Sequence, residues 1–251
     1  MYHFFVESYQ LAPDYKTVEI TDSDYNHIAH VLRMKVGEQF SVSVRGDEDG
    51  KEIFYEIQEI NESSVIGKLM FIEEGGHELP SKIYLFQGLP KVDKMELIVQ
   101  KAVELGVFEI IPMATKRCVV KLDEKKAAAK IKRWQAIAEA AAKQSKRAII
   151  PNVHMPMTMK EAVAYAKEMD VKLIPYENAQ HMDETKNLIE GIKPGESIAV
   201  FIGPEGGFSE EEITLCKDND IKPITLGKRI LRTETAGFTI MSVLMYHLEG
   251  K

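Results

Sequence analysis

Two glycine-bearing segments near the carboxyl end of this 251-residue chain constrain its fold more than any other feature. The first is Phe201-Ile202-Gly203-Pro204-Glu205-Gly206-Gly207-Phe208. The second is Leu226-Gly227-Lys228-Arg229-Ile230-Leu231-Arg232-Thr233-Glu234-Thr235-Ala236-Gly237. Each starts where a short apolar run stops, residues 198–202 and 224–226, and each leads into a helical pattern. Open α/β sheets bind ligands in the crevice outside the carboxyl ends of their strands. Two such loops in one chain imply two walls of one small-molecule pocket.

From Pro80 onward the chain alternates strand and helix. Strands are expected over 82–87, 109–113, 172–175, 198–202 and 224–226. Helices are expected over about 95–105, 123–145, 159–169 and 233–248. Ser209-Glu210-Glu211-Glu212 is a capping box opening a further helix, with carboxylates in the first turn where the dipole favours them. This order predicts an α/β domain with a mostly parallel sheet. Before Pro80 the pattern is mainly β, with strands over 39–44, 53–60 and 65–72 and one short helix over about 24–34. Short strands at this spacing suggest a small barrel. The expected boundaries are 1–72 for the first domain and 80–251 for the second, with 73–80 as the linker.

An apolar fraction of 45% with 28% charged residues belongs to the soluble globular class. No apolar run approaches the roughly 20 residues that span a bilayer, so no membrane partner is expected. The start, Met1-Tyr2-His3-Phe4-Phe5-Val6-Glu7, has no basic segment leading into an apolar run, so no secretory signal is expected. Cys118 and Cys216 form no Cys-x-x-Cys, and His27-x-x-His30 has no third ligand in the sequence. Neither a disulfide framework nor a metal is therefore expected, and the expected location is cytoplasmic. The formal charge of −7 conceals an asymmetry: residues 1–75 hold 6 Lys/Arg against 15 Asp/Glu, whereas residues 116–147 hold 11 against 3. A local basic field attracts a polyanion whatever the chain total.

The first loop is no P-loop, because no Gly-Lys-Ser/Thr follows, and Gly-x-Gly-x-x-Gly is absent. Glycines here permit close backbone approach to a flat or extended ligand. Taken together, Gly203-Pro204-Glu205-Gly206-Gly207-Phe208-Ser209 and Leu226-Gly227-x-Arg229-Ile230-Leu231-Arg232-x-Glu234-Thr235-Ala236 resemble the uridine N3 methyltransferases of small-subunit ribosomal RNA of the RsmE type. These belong to the SPOUT class of knotted S-adenosylmethionine enzymes. His30-Val31-Leu32-Arg33, Gln100-Lys101-Ala102-x-Glu104-Leu105-Gly106-Val107 and Gln144-Ser145-x-Arg147 extend the resemblance to nearly the whole chain.

The resemblance implies an α+β two-domain protein with an N-terminal PUA-like β-barrel that binds RNA and a C-terminal α/β domain with a deep trefoil knot. It also implies a homodimer, S-adenosylmethionine in the knotted loops, and methylation of 16S rRNA near the decoding centre. Competing readings are a non-enzymatic RNA- or ribosome-binding protein of the same fold, a related methyltransferase with another RNA target, and an enzyme using another nucleotide in the same loops.

Methyl transfer to uridine N3 requires loss of the N3 proton, stabilisation of charge on O2 and O4, and alignment in a dry pocket. Arg232 suits charge stabilisation, since a guanidinium donates to two sites at once; its alternative is an ion pair with Glu234 or Glu205. Either glutamate is a candidate base, although Glu234 also suits plain helix-start electrostatics. Cofactor contacts are expected from Gly203, Pro204, Glu205, Gly206, Leu226, Gly227, Ile230 and Leu231, with Tyr176 on a third wall. Arg33, Lys91, Arg117 and Arg147 are candidates for phosphate contacts, which position RNA without reading its sequence. Phe238, Ile240, Met241, Leu244 and Met245 give the last helix apolar area for a dimer contact.

Overall fold

The computed structural model describes residues 1–74, 77–179 and 181–250. Contacts divide the chain into two compact units, 1–78 with 142–150, and 79–141 with 151–251. The expected second domain is thus interrupted, because residues 142–150 cluster with the first unit. Of the expected linker, residues 75 and 76 lie outside the described residues.

The first unit holds β1 (Tyr2–Val6), β2 (Thr17–Ile20), α1 (Asp22–Asn26), a π-helical turn (His27–Leu32), β3 (Gln39–Val44), β4 (Glu52–Ile60) and β5 (Val65–Glu73). The strands form one sheet in the order β1-β3-β4-β5-β2. Strands β1 and β3 run parallel and the other pairs antiparallel. All five strands feed one core that includes Phe4, Val18, Ile20, Phe40, Val42, Ile53, Tyr55 and Val65. The single helix expected over 24–34 is a short α-helix continued by the π-turn. It ends in a left-handed Arg33 (φ 53°), and the Met34 N–H bonds to the Ile28 carbonyl. That bond closes seven residues, one more than the Schellman closure of an α-helix end, because the turn it closes is π-helical.

Arg147 belongs to this unit and is buried. Its Nε donates to Glu78 Oε2 at 3.0 Å, and only 3% of its side chain is exposed. The N–H groups of Ala148 and Ile149 donate to the same carboxylate at 3.0 and 3.1 Å. The phosphate contact expected of Arg147 is thereby corrected. Its guanidinium neutralises a buried carboxylate, as buried charges require, and has little surface to offer RNA.

The second unit contains β6 (Ile83–Gly88), α2 (Lys94–Glu104), β7 (Val107–Ala114), α3 (Glu124–Ser145, whose last turn belongs to the first unit), β8 (Asn152–Val153) and β9 (Met157–Thr158). There follow α4 (Met159–Tyr165), β10 (Val171–Pro175), α5 (Met182–Glu190), β11 (Ile198–Ile202), α6 (Glu210–Asp218), β12 (Lys222–Ile224) and α7 (Thr233–Glu249). The strands pair in the order β12-β10-β11-β6-β7-β8, and β9 pairs β7; every pairing is parallel. Strand β11 is buried throughout, as a central parallel strand must be. Phe86 and Phe201 stack at 4.3 Å on adjacent strands.

Strand β6 leads through α2 to β7 on one side of the sheet, and β11 leads through α6 to β12 on the other. The strand order therefore reverses between β6 and β11, which is where open α/β sheets form their ligand crevice. Among the described residues no helix is long and apolar enough to cross a membrane.

Candidate active site

At that reversal the end of β6 and the loop that follows β11 come unusually close. A Cβ on Gly88 would lie 2.6 Å from the Pro204 nitrogen, so only glycine fits there. Gly227 has a φ of +115°, which lets the second loop turn back toward the first without steric cost. Thr233, the first residue of α7, ties the loops together. Its hydroxyl donates to the Gly203 carbonyl at 2.6 Å and receives the buried Gln87 side-chain amide at 2.9 Å. From the other side Arg117 braces the first loop, donating to the Gly206 carbonyl at 3.0 Å.

The result is a cavity of about 520 Å³ lined by Lys94, residues 175–177, 202–208, 225–233 and Ala236. It therefore gathers all the cofactor-contact residues expected from sequence: Tyr176, Gly203, Pro204, Glu205, Gly206, Leu226, Gly227, Ile230 and Leu231. Leu226 and Leu231 are half-buried, whereas Ile230 is 86% exposed at the rim. The volume suits a ligand of nucleoside size.

The charged groups sort differently from the expectation. Lys94, which no sequence motif singles out, lies 3.2 Å from Glu205 Oε1 and 3.3 Å from Glu234 Oε2. Glu205 also accepts the Lys91 N–H at 3.0 Å. Burial pushes the Glu205 carboxyl up, but its own N–H, that of Lys91 and the Lys94 ammonium together hold it below the usual carboxylate range. Burial lowers Lys94, and the two glutamates more than reverse this, so it stays charged beyond the usual lysine range. Arg232 lines the cavity, and among the described residues its exposed guanidinium has no hydrogen bond or ion pair. The ion pair considered for it belongs to Lys94.

The remaining phosphate candidates are scattered. Arg33 is exposed in the first unit, Lys91 is exposed beside the cavity, and Arg117 is committed through one nitrogen to the loop. Gln87 and Thr233, which join the loops, were also missed; their contacts span 146 residues and leave no local pattern. Among the described residues no group of three or more His, Cys, Asp or Glu is placed to hold a metal ion.

Two family models match the chain: an RNA methyltransferase domain over residues 77–245 and an RNA methyltransferase PUA domain over residues 20–70. The ribosomal RNA small subunit methyltransferase E of Bacillus subtilis (strain 168) is 35% identical over 99% of this chain and 98% of its own. The chain belongs to the ribosomal RNA small subunit methyltransferase E family. The member from Mesomycoplasma hyopneumoniae is 36% identical over 96% of this chain and 98% of its own length. Among solved structures, the family member from Neisseria gonorrhoeae bound to S-adenosyl methionine superposes with a TM-score of 0.80. It is 29% identical and covers 98% of this chain and 97% of its own. A putative methyltransferase from Legionella pneumophila, in complex with the same cofactor, has a TM-score of 0.77 at 34% identity, over 97% of this chain and 96% of its own.

Proposed function

We propose that this protein transfers the methyl group of S-adenosylmethionine to N3 of a uridine in 16S rRNA near the decoding centre of the small ribosomal subunit. The observation that carries this reading is the cavity walled by residues 203–208 and 225–233, in a chain belonging to a family whose N. gonorrhoeae member binds that cofactor. The residues fit the group. A Cβ on Gly227 or Gly207 would meet no atom nearer than 4.0 Å, backbone carbonyls and amides line both loops, and Leu226, Ile230 and Leu231 offer apolar surface for a ring. When bound, the cofactor supplies an electrophilic methyl group on a sulfonium.

The protein's own part is positioning and electrostatics. Residues 203–207 and 226–231 hold the cofactor. Arg232 stands at the rim, where charge develops on the uracil oxygens as N3 loses its proton, and donates to that charge. Lys94 and its two glutamates fix the mouth of the pocket. Arg33, Lys91 and one face of Arg117 supply phosphate contacts, supported by the excess of basic residues over 116–133. The first unit is the RNA-binding PUA-like barrel of the family, the second its knotted domain, and the site of action is the cytoplasm. The trefoil knot is inferred from the family alone; Thr233 ties the start of α7 to Gln87 of β6 and to Gly203 just after β11. A crystal structure whose chain pulls straight from both ends would contradict the knot.

Incubation with methyl-labelled S-adenosylmethionine and small subunits lacking the modification tests the reading. Label is expected in 16S rRNA. Tight binding of RNA without transfer would favour a non-enzymatic protein instead.

The functional unit is proposed to be a homodimer. Ile240, Met241 and Leu244 are buried within their own unit, so three of the five residues expected to serve the contact are already used. Outward on α7 are Val243 and Tyr246, 41% and 81% exposed, and on the neighbouring α2 Leu97, 44% exposed. Light scattering is expected to give twice the 28.4 kDa chain mass; a monomer at micromolar concentration would count against the dimer.

A further inference from the structure

Lys94 is the first residue of α2, where a cation opposes the helix dipole. A residue set against its local preference answers a demand made by the surrounding structure. Here the demand is visible: the ammonium sits between a carboxylate from the first cofactor loop and one from the first turn of α7, and lines the cavity. Glu205 is further pinned by the Lys91 N–H, so both of its oxygens turn to the segment that opens α2. Among the described residues the buried Glu234 Oε2 has no hydrogen-bond partner; the lysine's charge is the favourable interaction shown for it. A free carboxylate base would instead need an oxygen turned to the proton it takes.

Resting on the function proposed above, we propose that Lys94 is a positioning residue that ties the Glu205 and Glu234 carboxylates together between the first cofactor loop and the start of α7, so that neither carboxylate takes the proton of the target base. In the step that follows, the N3–H bond breaks and its proton passes to water. The N3 electron pair forms the bond to the methyl carbon, and the electrons of the methyl–sulfur bond remain on sulfur. The developing negative charge on the uracil is met by Arg232.

The test combines two readouts on Lys94→Met, Lys94→Arg, Glu205→Gln and Glu234→Gln. The first is a carbon NMR titration of the glutamate carboxyls in the cofactor-free protein. Lys94→Met is expected to move the Glu205 titration up toward the ordinary range, and Lys94→Arg to restore it. The second is single-turnover methylation across pH with saturating cofactor. The glutamine variants are expected to keep the rise of rate with pH and to lose no more than about tenfold, since removing a true general base costs on the order of 100-fold or more. Lys94→Met is expected to slow transfer further than either and to gain an inflection on the acid limb, and Lys94→Arg to recover most of the rate. A glutamine variant that loses the rate together with its pH dependence, or a Lys94→Met protein with unchanged titration and unchanged profile, overturns the proposal. Absence of methyl transfer by the unaltered protein would instead sink the functional reading, and the NMR outcome would still stand by itself.

Discussion

Replacing Arg232 with alanine is expected to lower methyl transfer by roughly 100-fold or more, the usual cost of losing a donor aimed at transition-state charge. Affinity for S-adenosylmethionine is expected to stay within a few fold. The split follows from what Arg232 does and does not hold. It is the residue that caps α7, yet its side chain makes no capping hydrogen bond. Its backbone is extended (φ −65°, ψ 155°), a conformation alanine adopts readily. The two carboxylates that might have bound it belong to Lys94. Truncation therefore removes a guanidinium from the rim of the cavity and little else. Calorimetry of cofactor binding beside single-turnover kinetics separates the two effects. Full turnover in the variant, or a loss confined to cofactor binding, would show that Arg232 serves the fold.

Arg147→Ala is expected to damage the first unit severely, and for reasons of stability. It strips the guanidinium from Glu78, whose side chain is only 12% exposed, and leaves two backbone N–H groups to hold the charge. Breaking one partner out of a buried ion pair costs about 3–5 kcal/mol. Urea unfolding should report a loss of that order. The salt dependence of RNA binding by the folded fraction should be unchanged, whereas loss of a phosphate contact would lower the slope of log affinity by about 0.7 to 0.9. Near-native stability with a reduced salt slope would restore Arg147 as an RNA contact.

The contrast between these two arginines shows what was legible in the sequence. Elements with their own periodicity were: β11 is Ile198–Ile202 as expected, the helix expected from residue 233 is α7, and the capping box at Ser209 closes with both of its hydrogen bonds. The two loops were legible as pocket walls because glycine at a strand end has a local steric meaning. Elements held by pairing alone were missed. Strand β1 carries the β-forming residues Phe4, Phe5 and Val6, but its partner β3 is more than thirty residues away. Helix α5 was overlooked although Met182, Thr185, Leu188 and Ile189 carry helical spacing, and its Thr185 hydroxyl accepts the Thr225 N–H of the second loop. The last expected strand, 224–226, is shifted to Lys222–Ile224, which frees Leu226 for the cavity wall.

Charge was the least legible. Arg147 is expected from sequence to contact phosphate, and no sequence motif singles out Lys94. One is buried on a carboxylate 69 residues earlier in the chain, and the other joins glutamates 111 and 140 residues later. Sequence holds a hint only for Lys94, because a lysine in the first turn of a helix is electrostatically out of place. The corrections bear on how the site works more than on where it lies. The cavity stands where the loops predicted it, and the division of roles among Arg232, Glu205 and Glu234 depends on a lysine that the loops do not contain.

The identity of the methylated nucleoside tests the proposed activity directly. Small subunits from cells lacking this protein, treated with the purified protein and S-adenosylmethionine, would be digested to nucleosides and analysed by mass spectrometry against synthetic standards. One new 3-methyluridine per 16S rRNA is expected, formed roughly 100-fold or more slowly when Arg232 is alanine. A methyl group on another base, on a ribose, or on no nucleoside at all would contradict that activity.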